Sequence, residues 1–409
     1  VKHYLNCRLC GSSSTIDVWD FGATAPANAY INPKNPSINE EFPLKVFLCI
    51  NCSSVQLRDT VSPEKLFKNY KYASSTIPSL VKHFSKMAFD IREAIPQKSN
   101  FKALEIGSND GVLLRQLKAA GFSVLGVEPS DNLAELANKE GLPTEASFFD
   151  ASTAKRIRAS HGEFDVVVSN NCFAHIDNIK SVVEGINTVL SDNGFFVFEN
   201  AYLADTVNGL YFDQVYSEHL FYHSVKPLKA FFDKYDLEIF KVERVNIQGG
   251  SIRVFVKKLG NSNYKIDKSV QEFISYENNL GLSDTSIYNS FFNKLIDNKN
   301  ELLKFINTET KKGKTFSAYG AAAKFTTFSS FFGLDSVIKY VVDDSPLKHG
   351  LLTPHSLTPI INRNEFMANP TDYCIITAWN FADNIVKNNT EFTLKGGKFI
   401  NPLPSLQIL

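Results

Sequence analysis

FKALEIGSNDGVLLRQLKAAGFSVLGVEPS, residues 101–130, carries the reading that decides the fold. Apolar residues run over Ala103–Ile106, give way to glycine and polar residues at 107–111, take helical spacing over Val112–Ala120 and run again over Ser123–Val127. Strand, tight loop, helix and strand make a βαβ unit, the building block of a parallel α/β sheet. In the loop, Glu105-x-Gly107-x-x-x-Gly111 lets backbone come close to a ligand at a strand-to-helix turn. Glu128 ends the second strand, where a carboxylate can accept hydrogen bonds from both ribose hydroxyls. A dinucleotide's pyrophosphate needs three glycines and a bare helix N-terminus, whereas this loop carries Asp110, which would repel it. Glu105, Asn109, Asp110 and Glu128 instead suit a nucleoside cofactor that carries positive charge.

Around this unit the chain is 409 residues long, enough for two or three domains. Lys and Arg number 43 and Asp and Glu 43, with 44% hydrophobic residues, a globular composition without the net field that draws a protein to nucleic acid. No stretch reaches the roughly 18–20 apolar residues of a membrane helix. A cytoplasmic monomer with neither a nucleic-acid nor a membrane partner is expected. The 34 Phe beside 2 Met and 2 Trp carry no functional reading at this stage.

Four of the six cysteines fall in two C-x2-C pairs, Cys7/Cys10 and Cys49/Cys52. Each pair has the spacing of a knuckle that turns two thiolates toward one metal, and two knuckles complete a tetrahedral, structural zinc site with no open position for chemistry. The intervening Gly11–Leu48 is longer than the common interval and must fold as its own excursion. Rich in Pro and Asn, this segment would draw folding energy from the metal.

Gly194–Phe198 reads as a further buried strand, so the residues after it reach the carboxyl edge of the sheet, where open α/β folds hold ligands. There the chain becomes dense in ionisable groups, Tyr211 to His223. On a helix, Tyr216 and His219 would share a face. A Tyr, Glu and His cluster has the parts for chemistry at a carbon: a base for an acidic C–H and donors for an enolate oxygen. Farther on, residues 258–313 have amphipathic helical spacing, and KTFSAYGAAAKFTTF opens a second βαβ unit, whose Gly320–Ala323 turn and Lys324 form an anion site. Asp343, Asp344 and Lys348 follow its next strand and could meet base, ribose or phosphate. Arg253, after two glycines in GGSIR, is the stronger candidate for a pyrophosphate.

The ALEIGSNDG and GVEPS motifs resemble the class I S-adenosylmethionine-dependent methyltransferases over about residues 80–255. By that resemblance the fold is α/β with a Rossmann-like core. Gly107 lies under the methionine part of the cofactor, Glu128 binds its ribose, Pro129 and Phe148 flank the adenine, and Asn170 and Asn171 lie near the sulfonium. The order of the two C-x2-C pairs, EIGSNDG, YSEH, GGSIR and YGAAAK resembles the C-methyltransferases of nucleotide-linked 4-keto-deoxysugars across nearly the whole chain. That resemblance implies three parts: a zinc-binding, substrate-contacting domain at 1–75, the cofactor domain at 76–257 and a second Rossmann-like domain for the nucleotide-sugar at 258–409. It makes His219 the base, Tyr216 the donor to the ketone oxygen, Glu218 their support and His175 a second active-site histidine, with Tyr70 or Tyr72 reaching in from the first domain. Phe325-Thr326 departs from the family's small or polar residues there. An O- or N-methyltransferase, or a non-catalytic binding protein on the same fold, is the competing expectation.

Overall fold

The structure is a computed structural model that describes residues 1–409 except 37–38, 69, 71–73, 77, 97–99 and 248. Tyr72 therefore lies outside the described residues. The expected βαβ unit is present, as strand Phe101–Ile106, helix Val112–Ala119 and strand Phe122–Val127. It sits in a seven-stranded sheet ordered 237–245, 251–258, 190–201, 164–170, 101–106, 122–127, 144–145. Strands 190–201 to 144–145 pair in parallel, and the hairpin 237–245/251–258 adds an antiparallel edge. All seven residues of Phe164–Asn170 are buried, and its apolar run Val166–Val168 suits a strand covered on both faces. Strand order reverses between 101–106 and 164–170, which opens a crevice at their carboxyl ends.

The C-terminal part repeats the plan with six strands ordered 360–361, 338–342, 316–319, 373–376, 398–401, 407–408, all parallel but the last. The helical region before it resolves into Lys268–Leu280 and Thr285–Thr310, each capped by an aspartate, Asp267 and Asp284. The longer helix buries Tyr288, Phe291, Leu295, Leu302 and Ile306 on one stripe. It leans on the N-terminal sheet, where Trp19 Nε1 donates to the Tyr288 carbonyl at 3.1 Å and the Trp19 and Phe291 rings lie 4.5 Å apart.

That N-terminal sheet is antiparallel, ordered 221–222, 55–57, 42–49, 15–24. Its outer strand, Phe221–Tyr222, comes from the middle of the chain and pairs with Val55 and Gln56. The expected division at residue 75 thus parts the sequence but not this sheet. The stretch from Tyr211 is not a helix. A single 3-10 turn, Phe212–Gln214, leads into a turn at 216–219 and then the strand. Apart from Tyr216 and His219, residues 212–223 are buried, so the segment has no solvent face to organise a helix. The phenylalanines gain an account here. Phe21, Phe212 and Phe331, one from each expected part, meet at centroid distances of 5.1–6.0 Å, a shared aromatic core between the parts.

Candidate active site

The crevice is shaped by the loop after Ile106. Gly107, Asn109 and Gly111 all have positive φ (71°, 51° and 78°), and a Cβ on Gly107 would collide with the Cys172 thiol, so only glycine fits there. Glu128 Oε2 accepts from the Asn109 amide at 2.7 Å and Oε1 from the Ser130 amide at 2.9 Å. Ser74 N–H donates to Asn109 Oδ1 (2.8 Å) and Ser75 to Asp110 Oδ2, which brings these two serines against the loop. Burial and the neighbouring carboxylates push Glu105 well above the usual carboxylate range, and burial pushes Glu128 up to about 7. Glu105 Oε2, Ser108 Oγ, Asp110 Oδ1 and Asn170 Oδ1 are buried without hydrogen-bond partners. Two carboxylates with unused acceptors, Glu105 and Asp110, beside a third, Glu128, call for a ligand bearing cationic and hydroxyl groups, and an aminoacyl sulfonium nucleoside has both. Asn171 follows at φ 50°; Pro129 is half-buried and Phe148 more exposed.

Beside the crevice the YSEH residues converge without a helix. His219 Nδ1 lies 2.8 Å from the Gln214 carbonyl, which can only accept, so Nδ1 carries the proton. His219 Nε2 then accepts from the Tyr216 hydroxyl at 2.6 Å. The His175 ring stacks on His219 at 5.0 Å and on Phe67 at 5.9 Å. Burial, with His175 adding to it, pushes His219 well below its ordinary value, and burial takes His175 down to about 4. Both rings are neutral at pH 7. His223, which closes the same ionisable stretch, is buried and by that burial lowered to about 3.

Glu218 turns toward the N-terminal segment. Asn28 Nδ2 donates to Glu218 Oε1 (3.1 Å), to Oε2 (3.2 Å) and to the Tyr70 hydroxyl oxygen (3.2 Å). Asn28, Tyr70, Glu218 and Lys65 share the wall of a cavity of about 300 Å³. Asn28 was missed because its partner is 190 residues away and its loop looks like any Pro- and Asn-rich turn. Burial lifts Glu218 to about 7, from 4.5. A carboxyl raised on folding favours the folded chain while protonated, and that contribution is lost as pH climbs from about 4.5 through 7. Glu218→Gln should therefore raise the melting temperature at pH 8.5 and leave it unchanged at pH 4.5, with about 3 kcal/mol as the ceiling. Equal calorimetric melting points for the two proteins at pH 8.5 would contradict the assignment.

The charged residues expected at the substrate, Arg253, Asp343 and Lys324, differ in their surroundings. Arg253 stands opposite Glu199 in the antiparallel register, with Nε 2.5 Å from Glu199 Oε1 and Nη1 3.4 Å from Asp90 and Glu243. His83 holds the other Glu199 oxygen at 2.6 Å. The pyrophosphate role expected of Arg253 is corrected on this ground: the guanidinium is buried and surrounded by carboxylates, a cross-strand ion pair that locks the sheet. Asp343 is similarly engaged, accepting from Ser345 N–H and pairing with Lys348 at 3.1 Å. Lys348 also donates to the Ala321 carbonyl at 2.9 Å, closing the Gly320–Ala323 turn. Lys324 Nζ, by contrast, is buried and without a hydrogen-bond partner.

At the far side of the N-terminal sheet, the Sγ atoms of Cys7, Cys10, Cys49 and Cys52 lie within 4.8 Å of one another, with Cys7–Cys52 at 3.6 Å and Cys10–Cys49 at 3.5 Å. A tetrahedral zinc thiolate site has sulfur edges of about 3.8 Å, so the four fit one ion. Gln56 Nε2 donates to Cys7 Sγ at 3.1 Å, as a partner that orients a thiolate ligand does. No helix among the described residues is long and apolar enough to cross a membrane.

Comparison with known proteins follows the same three parts. Family models match residues 7–67 as a putative zinc binding domain, 80–242 as a methyltransferase domain and 246–404 as a C-methyltransferase C-terminal domain. The C-methyltransferase NovU of Streptomyces niveus is 31% identical over 405 residues, spanning 98% of this chain and 96% of NovU. An uncharacterized methyltransferase of Bacillus pumilus (strain SAFR-032) is 29% identical over 157 residues, 35% of this chain and 72% of its own length. Among solved structures, the plantazolicin methyltransferase BpumL in complex with SAH covers 44% of this chain and 84% of its own at 14% identity and a TM-score of 0.35, too low to support an inference.

Proposed function

Since the chain belongs to the C-methyltransferase family of NovU and is an S-adenosylmethionine-dependent C-methyltransferase, we propose that it methylates the carbon next to the ketone of a nucleotide-linked 4-keto-deoxysugar, at C-3. The observation that carries this reading is the Tyr216–His219 pair, a hydroxyl hydrogen-bonded to a neutral imidazole beside the cofactor crevice. Oxygen and nitrogen acceptors bring their own lone pairs, whereas a carbon acceptor needs a base first. The C–H beside a ketone is the acidic one on such a sugar.

The residues divide the work as follows. Gly107, Asn109, Gly111 and Asn171 shape the backbone around S-adenosylmethionine, with Glu105, Glu128 and Asn170 as acceptors and Pro129 and Phe148 at the adenine. When bound, that cofactor supplies an electrophilic methyl group. Tyr216 oxygen takes the carbon's proton while passing its own to His219 Nε2, so the proton ends on the imidazole. The Gln214 carbonyl keeps Nε2 as the accepting nitrogen. Asn28 and Tyr70 hold Glu218 at the sugar cavity, and His175 keeps water from His219. Cys7, Cys10, Cys49 and Cys52 hold a structural zinc ion. The Gly320–Ala323 turn and the Asp343–Lys348 pair border the nucleotide.

Incubation with a panel of nucleotide-linked ketosugars in D2O, without methyl donor, tests the reading. Enzyme-dependent deuterium incorporation next to the ketone, seen by NMR, is expected. Methyl transfer to oxygen or nitrogen without any such exchange would overturn it.

A further inference from the structure

The Tyr216 hydroxyl has one proton, and the geometry commits it to His219, because His219 Nδ1 already donates to Gln214. The ketone oxygen, which gains a full negative charge when the C–H bond breaks, then needs another donor. Lys324 is placed for it.

Lys324 lies in the first turn of helix Ala323–Phe332, and this helix start is fastened to both walls of the active site. Ala321 carbonyl accepts from Tyr30 OH at 2.6 Å, and Thr326 Oγ1 donates to the Ala27 carbonyl at 3.4 Å, one residue from Asn28. Thr327 Oγ1 donates to the Val215 carbonyl at 2.5 Å, one residue from Tyr216. Lys324 Nζ is thereby held between the loop that positions Glu218 and the segment that bears the base. It rests 4.3 Å from the centre of the Trp379 ring, which stacks on Tyr211 at 3.9 Å and donates from Nε1 to Asp213 Oδ2 at 2.6 Å. Asp213 Oδ1, like Lys324 Nζ, is buried with no hydrogen-bond partner. A buried ammonium and a buried carboxylate oxygen, both unpartnered, mark a place where a ligand completes the hydrogen bonding. The Lys324 charge also bears on His219, holding the imidazole neutral, and Asp213 opposes the loss of the Lys324 proton to burial.

We propose that Lys324 is a further catalytic residue, whose ammonium hydrogen-bonds the ketone oxygen of the sugar and carries the enolate charge, with Asp213 as its counter-ion. This rests on the enolate reading above. In the step, the C–H bond breaks and its proton passes through Tyr216 to His219. The C–H electron pair becomes the C=C π bond and the carbonyl π pair moves onto the oxygen, against the Lys324 N–H. The sequence alone pointed Lys324 at the anionic part of the nucleotide-sugar. Its burial beside the base, and the commitment of the Tyr216 proton, decide for the enolate.

Lys324→Met tests this. The D2O exchange rate should fall by roughly 10²-fold or more, while affinities for S-adenosylmethionine and for a free nucleoside diphosphate, by calorimetry, change less than about threefold, a shift well under one tenfold step. Exchange at near wild-type rate overturns the assignment. So does a loss of nucleoside-diphosphate affinity in proportion to the loss of exchange, which would make Lys324 a diphosphate ligand. If the methionine variant misfolds, Lys324→Ala with added methylammonium decides: restored exchange supports the role and its absence overturns it. Wild-type enzyme that exchanges no ketosugar removes the enolate reading and this one with it, whereas wild-type exchange with an undiminished variant removes Lys324 alone.

Discussion

Replacing His219 with asparagine is expected to slow methyl transfer by roughly 10³–10⁴-fold, the upper range for a lost general base, with affinity for S-adenosylmethionine unchanged within about twofold. Asparagine can keep the hydrogen bond that Nδ1 makes to the Gln214 carbonyl, so the turn at 216–219 survives. What disappears is Nε2, the atom that accepts from the Tyr216 hydroxyl and that the proposed step protonates. Because burial holds His219 well below its ordinary value, its protonation does not limit the wild-type rate near neutrality. The acid limb of kcat/KM should instead follow the carboxyls raised to about 7, Glu128 at the cofactor and Glu218 at the sugar. Single-turnover kinetics and calorimetric titration separate the two effects. A variant that keeps more than a tenth of the wild-type rate would show that another group removes the proton.

Cys10→Ser, or removal of metal by a chelator, is expected to lower the melting temperature by about 10 °C or more, since structural zinc contributes on the order of 10 kcal/mol to small domains that depend on it. The consequence should not stop at stability. The sheet that the thiolates staple includes Phe221–Tyr222, two residues after His219, and the same segment carries Asn28, which holds Glu218. Activity should therefore fall by roughly 10²-fold, as when a supporting partner of a catalytic group is lost, and zinc should restore it. Loss of the near-ultraviolet signal of buried Trp19 would report the same event. Normal melting and turnover in a metal-free preparation would remove the structural-zinc assignment.

What could be read in the chain was what is local. The strand–loop–helix at 101–127 declares itself within thirty residues, and each C-x2-C pair declares itself within four. The long range could not be read. Arg253 looked available for a phosphate because its partner Glu199 is visible only in the antiparallel register. The helical spacing of Tyr216 and His219 had no force, because a segment buried nearly all round has no amphipathic pattern. Their convergence comes from a carbonyl, that of Gln214, which no side-chain motif can announce. Asn28 is invisible for the same reason as Arg253, since its meaning lies in a contact across 190 residues.

The pairing of Phe221–Tyr222 with Val55–Gln56 also governs how enzymes of this type can be recombined. A chimera joined at residue 75 would give the N-terminal sheet of one parent an edge strand from another, and the mismatch would fall beside the base. A graft that carries residues 1–75 together with 211–223 keeps the strand with its sheet. The unit to exchange is thus discontinuous in sequence, and substrate preference should travel with that composite unit and not with the N-terminal segment alone.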